Sequence, residues 1–181
     1  MIKMVAFDLV GVLVGEKDIE LNETEDKLER LFGPNISDSD YIIKGRNYVA
    51  NDSILINTTK DIIDKLYYVK DKDIFNKVRE LLPDSKVIIA TNHVSFVRDF
   101  IGEAFDVSNL DDLIISAEIH KIKPNSDFYQ HIVDKYNINP NELLFLDDNN
   151  DNCVGASNMG INTIHVTKDI NIIDKINDYL A

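Results

Sequence analysis

Cysteine is almost missing from this chain: Cys153 is the only one in 181 residues. No internal disulfide can form, which fits a reducing compartment, with the cytoplasm as the default expectation. Basic residues are scarce as well, 19 against 32 acids, for a formal charge of -13. With no basic stripe to offset that repulsion, the balance argues against nucleic acid or an anionic membrane as partner. A small anionic substrate would need local basic groups or a metal ion. Long apolar runs are missing too. No window can cross a bilayer, and the stretch before Asp8 is too short for the apolar region of a signal peptide. Triplets such as Asn57-Thr58-Thr59 are then chance matches to a glycosylation signal. There is no internal repeat and no low-complexity linker, so the chain reads as one domain, or one domain with an insertion.

What is present is a series of short apolar runs. The first, Met4 to Val14, is interrupted by one acid, Asp8. Four more follow: Val87 to Ala90, Leu113 to Ile115, Leu143 to Leu146 and Thr163 to Val166. Each reads as a strand buried on both faces. Helix-period segments alternate with them, roughly Ser95 to Phe105, Ser126 to Tyr136, Asn150 to Met159 and Ile170 to Leu180. Strand–helix alternation implies right-handed crossovers and a doubly wound (Rossmann-like) parallel sheet of five strands, an α/β fold.

Residues 15–83 lack strand-like alternation and carry amphipathic helical segments instead, near Glu23 to Phe32, Asp38 to Val49, Thr59 to Val69 and Lys72 to Leu82. Each opens near a residue able to cap it. Asn51 to Ile56 is the hardest piece to assign. The expected division is a core of residues 1–14 and 84–181 and an inserted helical cap of residues 15–83. An insertion at the carboxyl end of a strand sits where such sheets bind ligands, so it is placed to act as a lid.

All strand ends of a parallel sheet meet at one edge. Here the first ends at Asp8, the second at Thr91-Asn92 and the fourth at Asp147-Asp148, while the loop after the third carries Lys123-Pro124. Three carboxylates at one edge raise one another's pKa unless a cation holds them, and all-oxygen ligation suits magnesium. Asp8 can then attack a phosphorus atom while Thr91 and Lys123 hold the phosphoryl oxygens. In the lid, Lys44 and Arg46 are candidates to meet a phosphorylated substrate, against the alternative of a solvated helix face.

The stretches "FDLVGVL", "IIATN", "SAEIHKIKP" and "LLFLDDNN" resemble, in order and spacing, the four motifs of the haloacid dehalogenase-like hydrolase superfamily. The insertion resembles that superfamily's small α-helical cap. The resemblance implies Asp8 as nucleophile and magnesium ligand, Thr91 and Asn92 at the phosphoryl group, and Lys123 as charge neutraliser. It implies Asp147 and Asp148 as acids of the metal site, with Asp148 the stronger candidate for direct ligation. In "NNDNCVGASNMGI", Gly155-Ala156 and Gly160 would allow close packing on the sheet.

Two positions depart from the family pattern. Phosphatases of the superfamily carry a second Asp two residues after the nucleophile, and Val10 stands there. That side chain serves as general acid and base, worth about 10²–10⁴-fold, so its loss raises the barrier by roughly 3–5 kcal/mol. The Val10 carbonyl still suits the metal. Glu16, Asp18 and Glu20 lie just beyond and are possible replacements for the missing acid. His120 stands where relatives usually have Gly, and reads as a surface loop residue. His93 follows Thr91-Asn92 and reads as a loop histidine bordering the pocket.

The leading expectation is a magnesium-dependent phosphatase of a small phosphorylated metabolite, slowed by Val10. The alternative is a binding or regulatory protein that keeps the fold and metal site. Superfamily dehalogenases also lack the second acid, but they work without magnesium and have a Ser/Asn-rich fourth motif, unlike "LDDNN". A receiver domain is set aside by chain order, because it places its acid pair after the first strand.

Overall fold

The computed structural model describes residues 1–33, 37–168 and 170–181. Along the chain the strands are β1 (Met4–Phe7), β2 (Val14–Glu16), β3 (Tyr67–Val69), β4 (Lys86–Thr91), β5 (Asp112–Ile115), β6 (Leu143–Asp147) and β7 (Asn162–His165). The helices are α1 (Glu23–Glu29), α2 (Asp38–Gly45), α3 (Asp52–Leu66), α4 (Ile74–Leu81), α5 (Val97–Ala104), α6 (Ser116–Ile119), α7 (Ser126–Tyr136), α8 (Asn150–Ser157) and α9 (Ile172–Leu180).

Five strands form one parallel sheet in the order β5-β4-β1-β6-β7. Because side chains alternate along a strand, each apolar run feeds two layers. Val5, Phe7, Val87, Ile89, Leu144 and Leu146 face one layer, with Phe75 of α4, Ile101 of α5 and Ile176 of α9. Met4, Ala6, Ile88, Ala90 and Phe145 face the other, with Phe128 and Ile132 of α7 and Ala156 of α8. Burial on both faces explains why these strands lack polar alternation. β1, carrying Asp8 at its end, lies at the centre of the sheet and is the most shielded place the fold offers.

The insertion differs from its expected all-helical form. β2 and β3 pair antiparallel into a two-stranded ribbon at its base, with Gly15 opposite Tyr68. Tyr67-Tyr68-Val69 is aromatic and β-branched, which favours a pleated strand over the last turn of a helix. α3 therefore stops at Leu66. It also starts earlier than the periodicity suggests, because the Asn51 side chain accepts the Ile54 N–H and caps the helix at Asp52. α2 ends at Gly45, short of Val49. α4 packs on the sheet rather than on the other inserted helices, its Phe75 ring 6.5 Å from Phe7 and 5.4 Å from Phe105.

The helices of the insertion lean on the loop after β4 and on α5. The Ser95 N–H donates to Asp38 Oδ1 at 2.9 Å, Lys60 pairs with Asp99 at 2.5 Å, and the Tyr41 and Phe96 rings lie 5.9 Å apart. No helix among the described residues is long and apolar enough to cross a membrane.

Candidate active site at the carboxyl edge of the sheet

The edge brings together residues from four separate strand ends. Asp8 follows β1, its N–H donating to the Leu146 carbonyl at 2.8 Å, so its backbone continues the ladder to β6. Asp147 closes β6 and Asp148 follows it; carboxylate oxygens of Asp8, Asp147 and Asp148 lie within 4.8 Å of one another. Buried Lys123 stands between two of them, its Nζ 2.8 Å from Asp8 Oδ1 and 2.7 Å from Asp147 Oδ2. Its ammonium also lies 5.3 Å from the centre of the Phe145 ring.

Each of these groups is held by a further shell. Asp147 accepts the Asn149 N–H at 2.8 Å and the Asn152 amide at 3.1 Å on both oxygens. Asn152 is itself fixed by the Tyr129 hydroxyl, which donates to its carbonyl at 2.7 Å. Asp148 rests on the loop after β1, because a Cβ at Gly11 would overlap its carboxylate. Gly11 also has φ +85°, a conformation open to glycine at little cost. Two requirements therefore coincide at one residue, three positions after Asp8.

Asn92 turns out to be a positioning residue. Its amide donates to the Lys123 carbonyl at 3.0 Å while its carbonyl accepts the Lys123 N–H at 3.0 Å. Its side chain thereby clamps the lysine loop onto the end of β4. Gly155, expected to pack on the sheet, lies against that same loop: a Cβ there would sit 2.5 Å from the Pro124 carbonyl oxygen.

Thr91 is 2% exposed and its hydroxyl has no hydrogen-bond partner among the described residues. It is open to a ligand. Lys44 and Arg46 are not drawn to this edge. Arg46 pairs with Asp52 through two bonds of 2.6 Å and borders a separate hollow with Ala50 to Ser53, and Lys44 is exposed on α2.

The electrostatics follow from burial. Enclosure pushes the Asp147 carboxyl above the usual range, and the nearby charge of Asp8 adds to it against the pull of Lys123. Asp148 is raised as well, by partial burial and then by Asp147. Burial disfavours the Lys123 ammonium, but Asp8 and Asp147 outweigh it and hold the proton more firmly than usual. Among the described residues Lys123 is the cation that pairs directly with these carboxylates, and Lys70, lying near Asp148, offsets part of the remaining negative charge. Oxygen donors that keep a net negative charge suit a hard divalent ion. Asp8, Asp147 and Asp148 would hold it.

The structure also places the remaining neighbours that the sequence singled out. His93 lies in the loop after β4 as expected, but it is 3% exposed and fully partnered, a core group rather than one bordering open solvent. His120 is exposed at φ +54°, the left-handed end of α6, which gives a physical reason for glycine to be usual there. Glu16 borders the hollow that contains Val10 and Asp148, while Asp18 lines a different one. Ser116 and Asn152 were missed in the sequence. Ser116 Oγ accepts the His93 N–H at 3.0 Å, and no short motif marks either residue.

Comparisons with known proteins agree with this geometry. A bifunctional epoxide hydrolase 2 of Rattus norvegicus is 40% identical over 58 residues, which are 32% of this chain and 10% of that protein. A predicted HAD-like family hydrolase of Porphyromonas gingivalis superimposes with a TM-score of 0.76 at 21% identity, over 99% of this chain and 98% of that one. A HAD family enzyme of Bacteroides thetaiotaomicron, crystallised with magnesium and inorganic phosphate, gives 0.72 at 14% identity, over 95% and 98%. The family model described as haloacid dehalogenase-like hydrolase matches residues 5–166, spanning β1, the insertion and the acid pair, and the chain belongs to that family.

Proposed function

We propose that the protein is a magnesium-dependent phosphatase of a small phosphorylated metabolite, with Asp8 as the group that takes the phosphoryl. The observation that carries this reading is the trio of carboxylates around buried Lys123, beside an unpartnered Thr91 hydroxyl. The magnesium and phosphate bound by the Bacteroides relative support it. Asp8, Asp147, Asp148 and the Val10 carbonyl would hold the ion, which supplies positive charge against the phosphoryl oxygens.

In this mechanism an Asp8 carboxylate oxygen attacks phosphorus, and the bond to the leaving oxygen breaks. Lys123 and the Thr91 hydroxyl stabilise the equatorial phosphoryl oxygens. Water then attacks the aspartyl-phosphate, releasing inorganic phosphate and restoring Asp8. The leaving oxygen needs a proton that Val10 cannot give. Acyl and aryl phosphates, whose leaving groups are stable as anions, therefore suit the site best. Of residues 15–83, expected to form the cap, helices α1 to α3 would cover the site, while α4 packs on the sheet. The test is phosphate release from a metabolite panel with magnesium. Asp8→Asn should abolish it, and activity equal to wild type in that variant would sink the mechanism.

A second reading rests on Val10 itself, which packs on the core where an acid would reach the substrate. In that case the protein binds phosphate compounds without turning them over. Magnesium with a phosphate mimic would then raise thermal stability while no substrate gives turnover above background.

A further inference from the structure

Most of the scarce cations in this chain are paired with acids on the surface. Lys70 and Lys168 make no ion pair among the described residues. Both line one hollow of about 700 Å³ that opens beside the carboxylate edge and also touches Val10, Gly11, Tyr68 and Asp148.

Lys70 is fixed there. It follows β3, and its Nζ donates to the Gly11 carbonyl, one residue beyond Val10 in the nucleophile loop. An ammonium has three donors, so two remain for a ligand. Partial burial makes its charge harder to keep, and the nearby Asp148 carboxylate offsets part of that cost. Tyr68 closes the wall: its ring lies on Gly15, where a Cβ would overlap it. With Asp148 engaged by a divalent ion, the two lysines outnumber Glu16, the other acid on this wall. The sign of the local charge is then opposite to that of a molecule carrying -13 overall. A cleft of that kind concentrates anions.

We propose that this hollow is a subsite for a second anionic group of the substrate, a carboxylate or a further phosphate, held by Lys70 and Lys168. This rests on the phosphatase reading and narrows it: the preferred substrate is a phosphorylated acid or a bisphosphate rather than a phosphorylated neutral alcohol. Lys70 is suited to the task because it joins the ribbon at the base of the cap to the loop that carries the nucleophile. A ligand seated on it touches both.

The experiment uses non-hydrolysable probes, so that binding is read separately from turnover. Calorimetric titrations with saturating magnesium compare methylphosphonate with phosphonoacetate, 3-phosphonopropionate and methylenediphosphonate. Wild-type protein should bind at least one of the probes with a second anionic group ten-fold or more tighter than methylphosphonate. Lys70→Gln and Lys168→Gln should each cut that preference at least three-fold, and Lys168→Gln, at a side chain with no hydrogen bond to the loop carrying Asp8 among the described residues, should leave methylphosphonate affinity within two-fold. Unchanged preference in both variants, equal loss for all probes, or no preference in wild type overturns the subsite but leaves the phosphatase reading standing. No binding of any probe overturns both. Preference for the carboxylates over methylenediphosphonate, or the reverse, identifies the second group.

Discussion

At the scale of single residues, Gly11 and Val10 stand side by side with opposite relations to the site. Gly11 is demanded by its surroundings: positive φ and the Asp148 carboxylate packed on it leave no room for a methyl group. Gly11→Ala should cost about 1–2 kcal/mol from the backbone alone. It should also push Asp148 away, weakening magnesium at least ten-fold in a titration. Unchanged affinity would show that Asp148 is not a ligand. Val10 is dispensable in comparison, being half-buried and held through main-chain pairing with Val14. Val10→Asp restores an acid next to the leaving oxygen and should raise kcat by roughly 10²-fold or more on alkyl phosphates. Aryl phosphates should gain less. A Val10→Asp protein no faster than wild type on either class would show that something else already supplies the proton.

At the scale of elements, the joint between insertion and core centres on His93. Its Nδ1 lies 3.0 Å from the Val94 carbonyl, which can only accept, so Nδ1 carries the proton. Nε2 must then accept from the Tyr67 hydroxyl at 3.0 Å. Phe32 covers the ring at 5.1 Å between centroids. The strand returning from the insertion is thereby latched to the loop after Thr91-Asn92 through a neutral imidazole. Burial drives that imidazole down to about 4, against the weaker upward pulls of the Val94 carbonyl and Asp38. Because the folded value lies below the unfolded one of about 6.5, the unfolded chain binds the extra proton between them. Stability from this group is complete above about pH 6.5 and is lost as pH falls towards 4, by roughly 3 kcal/mol in all. His93→Gln should flatten urea-unfolding stability across that window relative to wild type. An equal slope in both proteins would refute the latch.

Legibility in the sequence follows from how local each signal is. The sheet could be read because two-sided burial writes itself as continuous apolar runs, and α7 was found to the residue because its period and cap lie within one stretch. The ribbon was not legible. β2 has only three residues, and its partner is fifty residues away in the chain, joined by Gly15 meeting Tyr68. The acid pair and Asp8 could be read because each ends an apolar run. His93, Asn152 and Lys70 could not, since their roles depend on partners supplied by other elements. Asn92 could be placed at the edge but not given its task, because only the fold shows that both ends of its amide are taken by Lys123.

At the scale of the whole molecule, the acidic balance and the site pose one electrostatic problem. A chain at -13 places three carboxylates within 4.8 Å of each other at the centre of its sheet. Lys123 relieves part of that repulsion, and binding of a divalent ion should relieve the rest. An ion that bound the folded edge and not the unfolded chain would add RT ln(1 + [L]/Kd), about 2.7 kcal/mol at a hundred times Kd. For a domain of this size that corresponds to a rise of about 5–10 °C in Tm. General screening gives a different result, because salt acts on all surface charges and saturates with ionic strength and not with site occupancy. Magnesium should therefore stabilise more than sodium chloride of equal ionic strength, and Asp148→Asn should remove that difference while keeping the response to sodium chloride. If magnesium and sodium chloride stabilise equally at matched ionic strength, the carboxylate edge is a screened cluster and holds no ion.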